Sequence, residues 1–207
     1  MNSLASMQGK IWIKLLVVVV VIVLLAMSLV PGINRIPTLD EAVNASWSQV
    51  TNQYQRRADL IPNLVSTVKG YAAHERETLT AVVEARSKVA QTTIPKDILT
   101  NPEAFQKFQA NQAQLSSALS RLLVVVERYP DLKANQNFLS LQSQLEGTEN
   151  RIAVARRDYI NTVKQFNTHI RTIPGRWFQA FFFPELTVKQ NFTAAASVNE
   201  APKVNFN

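Results

Sequence analysis

The chain has 207 residues, no cysteine, only five glycines and a formal charge of +7. The missing thiols exclude disulfides, thiolate metal sites and cysteine nucleophiles. So little glycine supplies few tight turns, which disfavours hairpin-rich β folds and points to a few long helices.

Residues 1–10 form a short N-terminal segment. From Ile11 to Val30 the sequence reads IWIKLLVVVVVIVLLAMSLV, with Lys14 as its one charge. A helix of that length rises ~30 Å, the thickness of a bilayer's hydrocarbon core. Lys14 lies in the first turn, where its ammonium can reach the interface, and Trp12 sits beside it at head-group depth. The run is longer than a signal-peptide core, and no A-x-A site precedes Pro31-Gly32, so the segment reads as an uncleaved transmembrane anchor. Lys10, Lys14 and the α-amino group flank one end, and Arg35 flanks the other. That bias places the N-terminus in the cytoplasm and the rest of the chain outside it, as a single-pass protein of the cell membrane.

A linker is expected over 31–37. Thr38-Leu39-Asp40-Glu41 then has the form of a capping box, opening a helix over 39–91. Its seam runs Trp47, Tyr54, Ile61, Val68, Glu75, Val82, Val89, with Val50, Arg57, Leu64, Tyr71, Thr78 and Ala85 beside it. Pro62 falls inside this helix and predicts a kink or a break. A link with Thr92, Thr93 and Pro95 follows. Asn101-Pro102-Glu103 supplies a cap, a first-turn proline and an early acid for the second helix. That helix carries Phe105, Gln112, Leu119, Val126 and Phe108, Leu115, Leu122, Tyr129. The third repeats every seven residues through Phe138, Leu145, Ile152, Tyr159, Phe166 and Ile173, and Pro174-Gly175 ends it. Sustained heptads predict an all-α fold: the anchor, then an elongated antiparallel bundle of three long helices over 38–184. Trp177, Phe178, Phe181, Phe182 and Phe183 mark a short C-terminal helical segment and a candidate interface. Residues 185–207 read as an extended tail.

The candidate site residues are the polar ones that break the seam. Arg57 and Glu75 stand where the repeat asks for apolar side chains, and a buried charge needs a partner. Eighteen residues, ~27 Å of helix, keep them from pairing with each other. Glu149, Asn150, Arg156 and His169 are the candidate partners. Arg56, Asp59, Pro62 and Asn63 read as a kink motif, in which the proline frees a backbone carbonyl. His74-Glu75 lacks the second histidine of H-E-x-x-H, since position 78 is Thr78. No nucleotide-binding or nucleophile-elbow string occurs. Neither an enzyme nor a cofactor is therefore expected. Basic residues are interleaved with acidic ones, which argues for anionic lipid rather than nucleic acid.

Three strings resemble the LemA family. The first runs from Gln55-Arg56-Arg57-Ala58-Asp59-Leu60-Ile61-Pro62-Asn63-Leu64-Val65 to His74-Glu75. The second covers Tyr129-Pro130-Asp131-Leu132-Lys133-Ala134-Asn135 and Leu145-Glu146-Gly147-Thr148-Glu149-Asn150-Arg151-Ile152-Ala153. The third is Ala155-Arg156-Arg157-Asp158-Tyr159-Ile160-Asn161. Together they cover nearly all of 40–175. The resemblance implies a bacterial single-pass membrane protein with an elongated helical bundle, associated with the cell envelope and membrane remodelling. The expectation is a scaffold or interaction protein that binds a protein partner, self-associates or meets the membrane. The alternative is an envelope ligand sensor or enzyme in which Arg57, Glu75 and His169 converge on one cleft.

Overall fold

The computed structural model describes the backbone of residues 2–91 and 94–193, and the side chains at 12, 14–24, 27, 29–91 and 94–193. The link expected at Thr92 and Thr93, and the tail from 194 onward, lie outside the described residues. Among those described there are six helices and no strand: α1 (Asn2–Tyr71), α2 (Arg76–Gln91), α3 (Pro102–Val126), α4 (Pro130–Lys133), α5 (Gln136–Arg171) and α6 (Gly175–Phe182). The all-α architecture follows from the heptads. The chain divides into two compact units, Met1–Ala42 with Gln165–Val188, and Val43–Lys164 with Lys189–Asn207.

In the first unit, α1 carries the apolar run. Its described side chains between Trp12 and Val30 are exposed, an apolar surface with no protein against it. The window is long and apolar enough to cross a membrane. Helix α1 also runs through residues 31–37, where a linker was expected. Thr38 does not start a helix. Its hydroxyl donates to the Asn34 carbonyl at 2.9 Å, the bond a threonine makes inside a helix. Phe166, Ile170 and Ile36 are buried. At the end of α5 the chain turns sharply at Gly175, where an added Cβ would collide with the His169 carbonyl.

The second unit is the bundle, and its side-chain contacts give the helix directions. Arg86 of α2 meets Ala58 of α1 across the turn at 72–75, so α2 returns antiparallel. Trp47 meets Phe105, and Arg57 meets Gln112 and Ser116, so α3 runs parallel to α1. Ser46 meets Thr162, Arg57 meets Glu149 and Tyr71 meets Asn135, so α5 descends. The seam residues Ile61, Leu64, Val68, Val82, Leu115, Leu119, Leu122, Phe138 and Leu145 form one core, which Leu79 joins. At ~25 cal/mol per Å², burying each such side chain contributes about 1.5–3 kcal/mol.

Two expectations change here. The helix predicted over 39–91 is two helices, so the bundle has four long segments rather than three. Its break lies at 72–75, not at Pro62. The Ala72 amide closes α1 on the Val68 carbonyl, and the Glu75 carbonyl accepts from Leu79 to open α2. The start of α3 is as expected: Asn101 Oδ1 accepts from the Glu103 and Ala104 amides, with Pro102 at the first position. Ile173, the last heptad position, lies past the end of α5 and is exposed.

Candidate functional site

The polar centre of the bundle is Arg57, only 1% exposed. One terminal nitrogen donates to Glu149 Oε1 and to Ser116 Oγ, both at 2.8 Å. The other donates to Gln112 Oε1 at 2.6 Å and to the Gln112 carbonyl at 3.3 Å. Nε is buried without a partner. The fork therefore ties α1 to α3 and α5 at one level. Charge-assisted bonds of this kind hold better than neutral ones and fix register across a seam.

Beside it lies a cleft of about 440 Å³ lined by Tyr54, Arg57, Gln112, Ser116, Glu149 and Arg156, among others. Arg156 stacks on Phe192, its guanidinium carbon 4.4 Å from the ring centroid. Burial pushes the Tyr54 hydroxyl above its ordinary pKa, against the opposing pull of Arg156 and Arg57. Phe192 joins Trp47, Phe105 and Tyr159 in an aromatic cluster, and Tyr159 donates its hydroxyl to the Gln190 carbonyl at 2.7 Å. The start of the C-terminal tail is thus docked on the bundle.

Glu75 is elsewhere. Its Oε1 accepts from Arg128 and from the Tyr129 hydroxyl, each at 3.0 Å, and that bond raises the Tyr129 pKa. Neither partner was among its sequence candidates. Asn150 is exposed and lines a separate cleft of about 480 Å³ with Gln49, Gln53, Arg151 and Asp158, among others. His169, in the other unit, is half-buried with Nε2 unbonded. Among the described residues, no three His, Cys, Asp or Glu side chains gather to hold a metal.

The segment around Pro62 is built differently from the kink motif read in the sequence. Arg56, Asp59 and Asn63 are exposed, and Asp59 accepts from Gln55 at 2.8 Å. A proline at 62 cannot donate to the carbonyl four residues earlier, which is that of Ala58. Arg86 Nε from α2 donates to this carbonyl at 3.0 Å. The orphaned acceptor is satisfied by a neighbouring helix, and α1 continues.

In the anchor unit, α6 turns Phe178 inward and Trp177, Phe181 and Phe182 outward, with Phe183 half-buried. The Phe178 ring lies against Gly32, where an added Cβ would come within 2.7 Å of it.

Sequence reasoning missed Gln112, Ser116, Arg86, Arg128, Tyr129 and Phe192. Gln112 carried a signal, because it breaks the seam of α3 as Arg57 breaks that of α1. Phe192 carried none, being one aromatic in a polar tail.

A family model described as the LemA family matches residues 46–206. Protein LemA of Metamycoplasma hominis is 31% identical over 133 residues, 64% of this chain and 56% of that protein's length. The magnetosome protein MamQ 2 of Paramagnetospirillum magneticum is 25% identical over 82% of this chain and 68% of its own length. MamQ of Magnetospirillum gryphiswaldense is 23% identical over 81% and 67%.

Proposed function

The chain belongs to the LemA family, and from that premise we propose that it is a membrane-anchored helical scaffold of the cell envelope whose bundle holds a protein partner beside the membrane. That the chain is a membrane-associated helical protein follows from the family, the relatives and the apolar run of α1. One observation carries the finer reading: Arg57 and Glu75, which interrupt the seam, are each bonded to polar groups from other segments of the bundle. Arg57 is spent on Glu149, Gln112 and Ser116, and Glu75 on Arg128 and Tyr129. Interhelical polar contacts of this kind set register and leave the outer surface for partners. A magnetosome protein among the relatives is consistent with a part in organising membranes.

The ligand-sensor or enzyme alternative has weaker support. It needs the seam polars to converge, whereas Arg57 and Glu75 are held by separate ion pairs. The charge bias of Lys10 and Lys14 over Arg35 favours a bundle on the extracytoplasmic side.

Val124, an exposed apolar residue on α3, gives the test. A membrane-impermeant maleimide should label Val124→Cys in intact cells. A photo-crosslinker scanned over Val124, Val154 and other exposed bundle positions should give discrete protein adducts from one face. A scan without adducts would sink the scaffold reading, and a bundle closed to the maleimide until lysis would reverse the orientation.

A further inference from the structure

We propose that α6 is a membrane-interfacial helix, whose outward aromatic face seats in the head-group region of the same bilayer that α1 crosses. Two observations meet here. The first is position. Phe178 packs on Gly32, and Gly32 follows the end of the apolar run at Val30 by two residues, ~3 Å along the axis. Helix α6 is therefore held at the depth where the hydrocarbon ends and the head groups begin. That is the layer in which amphipathic aromatic side chains concentrate.

The second is the face itself. Trp177 is 56% exposed, Phe181 82% and Phe182 56%, with Ile173 exposed before them. Trp177 and Phe181 are four residues apart in α6, so they share one face of the helix. In water this would be an unprotected apolar patch. Against a bilayer it continues the exposed apolar surface of the span. The presentation is firm. The Phe178 amide donates to the Pro174 carbonyl, and the Gln179 side-chain amide closes the next turn on the Phe183 and Leu186 carbonyls. Arg35, Arg171 and Arg176 are exposed in the same unit and offer guanidinium groups to head-group phosphates.

The inference rests on α1 spanning the membrane, and the experiment separates the two. With no native cysteine, a single introduced one carries a unique spin label. The full chain is reconstituted in phosphatidylethanolamine–phosphatidylglycerol vesicles with labels at Trp177→Cys, Phe181→Cys, Val20→Cys in the span and Val124→Cys on the bundle. The ratio of collisions with oxygen to collisions with a nickel chelate should be severalfold higher at 177 and 181 than at 124, approaching that at 20. If 20 reads as lipid and both 177 and 181 read like 124, the interfacial proposal falls while the anchor stands. An aqueous signal at 20 as well removes both. Labels at 177 and 181 that are aqueous in pure vesicles but immobilised in native membranes would overturn the proposal in favour of a protein partner. Since 181 is almost fully exposed, its replacement leaves packing intact, and unchanged helicity by circular dichroism checks each variant.

Discussion

Arg57 shows how one residue can tie three segments of a helical bundle together. Its charge is costly to bury, and three neighbours from two other helices offset that cost. Glu149 is 43% exposed, so water competes for it and the ion pair is worth less than a fully dry one. Gln112 and Ser116 are neutral and cannot balance the charge. Replacing Glu149 with Gln keeps the shape and removes the counter-charge, so E149Q should destabilise the fold by about 1–3 kcal/mol. Replacing Arg57 with Met removes the buried charge itself. In R57M the effect of E149Q should shrink to a few tenths of a kcal/mol. Thermal unfolding followed by circular dichroism, in detergent and on the full chain, measures both. An E149Q protein as stable as its parent would mean that Gln112 and Ser116 suffice.

At the scale of elements, the question is why α1 runs through Pro62 and stops ten residues later. The bond from Arg86 to the Ala58 carbonyl answers the first part, because it satisfies the acceptor that proline orphans. Loss of that charged donor, in R86M, should cost about 1–3 kcal/mol. In a Pro62→Ala background residue 62 regains its own amide, and the same substitution should then cost far less. An equal cost of R86M in both backgrounds, read from melting curves, would detach Arg86 from the tolerance of the proline. The bond explains why the sequence misled at this point. A proline inside a heptad run looks like a breaker when the compensating donor lies 24 residues away. The true break at 72–75 was hidden for a different reason. Val82 and Ala85 of the returning α2 stay in phase with Ile61 and Leu64 respectively, so the seven-residue period reports burial but not chain direction. Glu75, a charge in the seam, was the available sign. Helix identity and core positions were legible because burial is periodic. Arg57 was legible because it breaks that period. Ser116 and Arg128 were not, since a polar residue at the surface of a helix or turn looks the same whether or not another segment reaches it.

For the whole molecule, three of the four tyrosines tie stability to pH. Tyr54 and Tyr159 have raised pKa values chiefly through burial, and Tyr129 chiefly through the bond it donates to Glu75. In each the folded chain favours the neutral phenol. Below the ordinary value of 10.0 both folded and unfolded chains keep the proton, and the stabilisation is fully present. Above it the unfolded chain ionises first, so stability is lost as pH rises toward and through the raised values. In a Tyr71→Phe background, tyrosinate absorbance should therefore grow with the loss of helical circular dichroism rather than ahead of it. Tyr159→Phe separates the contributions. It removes the bond to the Gln190 carbonyl and should cost about 1 kcal/mol at neutral pH, yet it removes one protected phenol and should make the alkaline decline shallower. The aromatic cluster of Trp47, Phe105 and Phe192 stays filled by the new ring, so the two effects can be read from one pH series. If Y159F instead declines as steeply as its parent, the buried Tyr159 hydroxyl is not a source of the alkaline sensitivity, and Tyr54 and Tyr129 must carry it.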